Sequence, residues 1–407
     1  MRHHSLRKSL VDVMMKRFRR ASSVFLLLAV VTGQPGIADE CCERELNRIK
    51  KMSLTESHAR GRMLWHYFAT GQYYLDHAQP RNYQKAVEHF RKGAEEWSSV
   101  PCMVYLGDCY YDGKGVNKDY TEAVKWYRKA ANQGHAEAQF NLGNHYHKGQ
   151  GVRQDYAEAV KWYRKAANQG YASAQCNLGY CYGNGQGVRQ DDAEAVKWYR
   201  KAANQGRAAA QHNLGYCYEN GQGVHQDYAE AVKWYRKAAN QGYAAAQFNL
   251  GICYKNGKGV RQDDAEAVKW YRKAANQGRA EAQFNLGCCY YKGQGVRQDY
   301  AEAVKWYRKA ANQGRKEAMD VLIHCYENGI GVEQDVQQAQ VWRQKKEELS
   351  IIQPILPYSP SIAPLEDYSP AIAPLEDYSP AIAPLPEEDE KSSRQKNIEI
   401  ILKMLKK

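Results

Sequence analysis

Apolar residues along most of this chain recur with the period of an α-helix. In the stretch DYAEAVKWYRKAANQG at 155–170, Ala159, Trp162, Tyr163, Ala166 and Ala167 fall at i, i+3, i+4, i+7 and i+8, while Glu158, Lys161, Arg164 and Lys165 take the other side. Asp155 with Glu158 three residues on is a capping-box-like start, and Gly170 supplies a left-handed stop. These features predict an amphipathic helix, called helix B. A second helix, A, is predicted over ASAQCNLGYCYG at 172–183, with Ala174, Leu178, Cys181 and Tyr182 as its apolar side. Gly179 on that helix would let another backbone approach closely. Between A and the next B runs Gly-x-Gly-Val (Gly185, Gly187, Val188), which follows a helix and recurs in most copies, so it is no phosphate-binding glycine motif.

The pair repeats every 36 residues. Trp126, Trp162, Trp198, Trp234, Trp270, Trp306 and Trp342 mark the period, with Phe90 one period earlier. Gly71, Gly107, Gly143, Gly179, Gly215, Gly251 and Gly287 mark a second column, which closes on Ile323. The phrase at 155–170 returns verbatim at 227–242 and 299–314, and with DD for DY at 191–206 and 263–278. Self-similarity at a fixed period predicts an all-α solenoid of about eight helix-turn-helix repeats over 63–350. Positions are numbered 1–36 within each repeat, with Tyr171 as a position 1. The last repeat carries Arg343 in place of the tyrosine of the pattern, and Lys346 and Glu347 for the paired alanines, as expected where nothing further stacks. The first, 63–98, has Thr70 for leucine and no Gly-x-Gly loop, consistent with an N-terminal cap, and 39–62 reads as a helical lead-in.

The pattern A-x-x-x-L-G-x-x-Y-x-x-G-x-G-V followed by D-x-x-x-A-x-x-W-Y-x-K-A-A-x-x-G resembles the Sel-one-like repeat, a relative of the tetratricopeptide repeat, over roughly 70% of the chain. The resemblance implies a right-handed superhelix of antiparallel helix pairs and an adaptor role, with helix A lining a concave surface. Some cysteine-rich members of that family are linked to β-lactam binding, which makes a β-lactam-binding or hydrolysing enzyme an alternative.

Composition changes the picture at the two ends. The chain has 407 residues and a net charge of +13. Residues 1–38 hold seven Lys/Arg against Asp12 and contribute +6, leaving +7 elsewhere, which does not point to a nucleic-acid partner. The basic stretch ending Lys16–Arg20, the apolar core Val24–Val31 and Gly-Ile-Ala at 36–38 read as a signal peptide, so export is expected, with an uncleaved anchor as the alternative. Beyond 350 the ten-residue repeats YSPSIAPLED, YSPAIAPLED and YSPAIAPLPE predict a disordered, PPII-like tail over 351–396. The tail's Ser359, Ser369 and Ser379, before proline, suit a secreted, host-directed effector modified on its tail, a second alternative. Residues 397–407 form a short amphipathic basic helix candidate that could touch a membrane.

Of eleven cysteines, Cys109, Cys181, Cys217, Cys253, Cys289 and Cys325 share one column, with His145 in the slot after Cys109. Equivalent atoms of stacked helix pairs lie about 10 Å apart, beyond the reach of a disulfide, so the column is expected to be buried thiols. Cys41, Cys42 and Cys288 have no such explanation. His145 reads as a core histidine. No HExxH, CxxC or zinc-spaced cluster is present, no unique nucleophile sits in the repeats, and no cofactor or metal is implied.

Positions 3, 6, 10 and 13 vary most, and on a helical wheel they span an arc of about 80° nearly opposite the expected buried stripe. Positions 27, 30 and 31 of helix B, expected to be equally solvated, stay Lys, Arg and Lys. The variable arc also carries aromatics. Phe140, Asn144, His147, Tyr180, His212, Tyr216, Glu219, Phe248, Ile252, Lys255, Phe284 and Tyr291 are therefore the candidate partner-binding residues. The expected function is a non-catalytic, monomeric scaffold gripping an extended peptide or protein.

Overall fold

The computed structural model describes residues 56–77 and 82–352, so the leader, most of the lead-in, the proline-rich tail and the terminal basic segment lie outside the described residues. Sixteen α-helices follow one another with no strand among the described residues. They are α1 (Glu56–Gln72), α2 (Tyr83–Trp97), α3 (Val100–Asp112), α4 (Tyr120–Asn132), α5 (Ala136–Lys148), α6 (Tyr156–Asn168), α7 (Ala172–Asn184) and α8 (Asp192–Asn204). Then come α9 (Ala208–Asn220), α10 (Tyr228–Asn240), α11 (Ala244–Asn256), α12 (Asp264–Asn276), α13 (Ala280–Lys292), α14 (Tyr300–Asn312), α15 (Lys316–Asn328) and α16 (Val336–Ile352). A π-helical turn, Tyr73–His77, extends α1. Even-numbered helices are the B helices and odd-numbered ones the A helices.

Local chemistry sets each boundary. Asp155 Oδ1 accepts the Glu158 backbone N–H at 2.9 Å, which is half of the expected capping box. The Glu158 carboxylate turns instead to Lys161, at 2.8 Å. Helix α6 closes in a Schellman motif: the Tyr171 N–H donates to the Ala166 carbonyl and the Gly170 N–H to the Ala167 carbonyl, with Gly170 at φ +90°.

Each core slab centres on three consecutive helices, and some also take in a side chain from the A helix before them, as with Phe140 of α5. Val160, Tyr163, Ala166 and Ala167 of α6 pack with Ala174, Leu178 and Cys181 of α7 and with Trp198 of α8. Helix A is thus clasped by its own B helix and by the preceding one, and it is buried almost all round: every residue from 173 to 179 is buried. The apolar stripe foresaw only half of this, because Gln175 and Asn177 are interior as well. The Gln175 amide donates to the Ala167 carbonyl at 3.1 Å and accepts from Gln205 at 2.8 Å, and the same pair of bonds recurs along the stack.

Gly179 is small for a different reason than expected. A Cβ there would stand 2.8 Å from the ring of Tyr199, the position-29 tyrosine of its own repeat, and only then 3.1 Å from a backbone oxygen. The glycine is a seat for a tyrosine ring. Where Arg343 replaces that tyrosine, Ile323 replaces the glycine. In the first repeat the ring over Gly71 belongs to Phe90, 37 residues before Tyr127, so Phe90 is the counterpart of the tyrosine and not of the tryptophan column. The last seat is rebuilt from charges, with Arg343 paired to Glu327 and Lys346 to Asp320.

The cysteine column is buried as expected, and all nine described cysteines are free. Burial pushes the Cys109, Cys181, Cys217 and Cys253 thiols up to about 12, so they stay protonated and apolar in character. No described helix is long and apolar enough to cross a membrane.

Candidate functional site

The tyrosine at position 29 brings an aromatic ring and a hydroxyl into the six seats from Tyr127 to Tyr307, and the variable residues of helix A are what surround it. Phe140 lies 6.0 Å from Tyr163 and 5.3 Å from Tyr171 of the next repeat, centroid to centroid. Phe248 meets Tyr271 at 6.0 Å, Phe284 meets Tyr307 at 5.7 Å, and His212 meets Tyr235 at 5.6 Å. The tyrosine hydroxyls find a different acceptor each time. Tyr127 donates to Asp108 at 2.6 Å, Tyr163 to Asn144 at 2.7 Å and Tyr235 to Glu219 at 2.7 Å, while Tyr307 is bonded to the Cys288 thiol. Tyr199 has Tyr180 and Gly183 at positions 10 and 13, and its buried hydroxyl has no partner.

Four candidate residues are therefore core residues and not an exposed arc: Phe140, Asn144, His212 and Phe248 are all buried. Helix A does not have the single buried side that a helical wheel assumes: its packing against two B helices and the position-29 tyrosine ring closes the position-6 direction too. The constancy of helix B also has a structural cause. Lys161 pairs with Glu158, Arg164 reaches the Tyr182 hydroxyl of the next repeat at 2.9 Å, and the Lys165 ammonium sits 3.8 Å from the centre of the Trp162 ring. Those cations are staples, so their invariance says nothing about drift on the other helix.

The remaining candidates, His147, Tyr180, Tyr216, Glu219, Ile252, Lys255, Phe284 and Tyr291, are half-buried. Several are engaged within the chain. His147 lies 2.9 Å from the Gln186 side-chain oxygen, Lys255 donates to Gln294 at 2.7 Å, and Tyr291 packs edge-on against Tyr300 at 5.0 Å. Phe284 carries the Arg315 guanidinium 5.0 Å over its ring. Tyr180, Tyr216 and Ile252 differ. They occupy position 10 in three consecutive repeats, on α7, α9 and α11, and among the described residues neither tyrosine side chain makes a hydrogen bond. Partial burial raises both hydroxyl pKa values, so both remain neutral donors.

The hydroxyl seats give a direct check. Tyr199→Phe removes an unpartnered buried hydroxyl and is expected to leave stability unchanged or raise it, whereas Tyr163→Phe loses about 1 kcal/mol and Tyr127→Phe, bonded to a carboxylate, about 1.5–3 kcal/mol. Urea titrations of the three variants test the order. Equal losses at all three would show that the acceptor is irrelevant.

The family profile described as Sel1 repeat matches residues 67–96, 100–135, 136–171, 172–206, 208–243, 244–278, 280–314 and 324–345. The chain belongs to the Sel1-repeat family. Among solved structures, a protective antigen of uropathogenic Escherichia coli strains displaying an SLR fold is 37% identical with a TM-score of 0.64, covering 74% of this chain and 64% of its own. A Sel1 repeat protein from Oxalobacter formigenes is 38% identical with a TM-score of 0.54, covering 60% of this chain and 96% of its own. The chain thus spans under two thirds of the length of the first of these structures. No curated protein matches it. Sel1-repeat proteins generally mediate protein–protein interaction and are generally non-catalytic, and their solenoid of helix pairs is the fold described above.

Proposed function

We propose that this Sel1-repeat chain is a non-catalytic scaffold that holds an extended peptide or protein segment against the row Tyr180, Tyr216 and Ile252. One observation carries the reading: three successive repeats present a large, half-buried side chain at the same rung with no polar partner among the described residues, while most other variable positions are committed to stabilising a neighbour. Half-buried tyrosines fixed on rigid helices lose little entropy on binding and are frequent interface anchors. The interior thiols at Cys109, Cys181, Cys217 and Cys253 stay protonated, which suits packing and not nucleophilic attack.

The test is the triple variant Tyr180→Asp, Tyr216→Asp, Ile252→Asp, checked for an intact helical spectrum and used in a pull-down beside the unaltered chain. An anchor worth about 2 kcal/mol alone weakens binding about 30-fold, so the triple variant is expected to lose the partner by well over that factor. Unchanged retention by the folded variant rejects the row as the binding face. Phe140 and Phe248 are unsuitable for such a test, since a carboxylate in either buried seat would unfold the repeat.

A further inference from the structure

At the junction of the repeats 99–134 and 135–170, Tyr111, Tyr127, Asn141, Asn144, His145, Lys148 and Gln150 enclose a cavity of about 10 Å³. That volume admits one water molecule and nothing larger. Two of the side chains around it carry buried polar atoms whose hydrogen-bonding capacity is unused. Asn141 is 1% exposed, yet neither its amide nitrogen nor its amide oxygen has a hydrogen-bond partner. Asn144 accepts the Tyr163 hydroxyl and the Asn177 amide through Oδ1, but its buried Nδ2 has no partner. Leaving such groups bare costs about 1–3 kcal/mol each, and native interiors rarely tolerate it.

The third wall is His145, the residue that interrupts the cysteine column. Its Nδ1 stands 2.7 Å from the Gln150 carbonyl oxygen. A carbonyl only accepts, so Nδ1 carries the proton and Nε2 is left as an acceptor. Burial, followed by the Lys148 charge, lowers the pKa of this histidine and holds the ring in that neutral form, while the Gln150 bond works the other way.

We propose that this cavity is a hydration site for a single internal water, which accepts from Asn144 Nδ2 and donates to Asn141 Oδ1 and His145 Nε2. Three partners is the usual number for a buried water. The site accounts for two departures from the repeat pattern at one rung. Asparagine at position 10 and histidine at position 11 stand here where later repeats carry Tyr180 and Cys181 or Tyr216 and Cys217. The shared asparagine at position 7 then has a bridged role at Asn141, unlike Asn177, which bonds directly to the preceding helix A at 3.1 Å.

A crystal structure of the full chain, at a resolution that shows ordered water, decides the matter. The expected result is one peak about 2.7–3.2 Å from both Asn144 Nδ2 and Asn141 Oδ1. In solution, water magnetic relaxation dispersion of the unaltered chain should count about one more long-lived water than Asn141→Leu, which keeps the side-chain volume and deletes both amide atoms. No peak in the unaltered chain overturns the proposal. So does an unchanged water count in a folded Asn141→Leu variant, or a raised melting temperature in that variant without any peak in its parent.

Discussion

Gly187→Ala is expected to cost about 2–5 kcal/mol of unfolding free energy, against about 1 kcal/mol for Gly170→Ala. Both glycines have positive φ, +70° and +90°, so an alanine is strained at either place. The difference lies in what the new methyl meets. At Gly170 nothing lies within 4 Å. At Gly187 the Cβ would stand 2.2 Å from the Tyr156 carbonyl oxygen and 2.7 Å from the Ala157 nitrogen, at the first turn of the preceding B helix. That backbone cannot step aside without loosening the α6 start, which Asp155 caps. The damage is therefore to the join between repeats 135–170 and 171–206. In a stack whose stability is a sum of repeat and nearest-neighbour contributions, a broken join should also split or broaden the urea transition. Equal losses for the two variants, with a single sharp transition in both, would show that the loop does not couple the repeats.

The same loop shows why so much of the fold could be read from the letters. Period, caps and stops are local properties, and Asp155, Gly170 and the 36-residue spacing announce them without reference to any neighbour. The residue count of the buried column, and the thiol character of its members, followed from spacing alone. What could not be read was which side of helix A remains open. A helical wheel assumes one partner, but α7 has two B helices against it and a tyrosine ring seated on Gly179, so Phe140, His212 and Phe248 turn inward where the wheel turned them out. A usable signal was present in the sequence: Gly at position 9 and Tyr at position 29 disappear together in the last repeat, at Ile323 and Arg343. That joint loss marks the two positions as contacts, and it would have placed the position-6 ring beside them. The variability at positions 6, 10 and 13 is largely the record of different solutions to one problem, the burial of a tyrosine hydroxyl. Tyr180, Tyr216 and Ile252 stand out because they solve no such problem.

His212→Phe is expected to remove a large share of the protein's acid sensitivity. His212 is buried between the Tyr235 and Tyr243 rings, in the position that Phe140, Phe248 and Phe284 fill elsewhere. The Asn249 amide donates to its Nε2 at 3.1 Å, so the neutral ring carries its proton on Nδ1, 3.2 Å from the Asn213 side-chain oxygen. Burial lowers its pKa from 6.5 to about 4, outweighing the upward pull of the Asn213 hydrogen bond, and the Arg279 charge adds a smaller downward push. The unfolded chain therefore binds a proton here at a higher pH than the folded chain does. The stability contributed by the neutral histidine is fully present above about pH 6.5 and is lost as the pH falls toward about 4, up to roughly 3 kcal/mol in total and about 2 kcal/mol by pH 5. His66, also lowered to about 4, and the lowered His145 and His147 act in the same direction, so the variant keeps part of the dependence. Urea unfolding of both proteins at pH 7.5 and pH 5 isolates the difference: the phenylalanine variant should gain about 2 kcal/mol relative to its parent on going to the lower pH. At neutral pH it takes one partner each from Asn249 and the buried Asn213, a cost of about 1–3 kcal/mol that is offset in part by an apolar ring the seat already accepts in three other repeats, and the comparison between the two pH values cancels that constant cost. Parallel losses in the two proteins would mean that His212 is charged at little cost and that the seat is wetter than its burial implies.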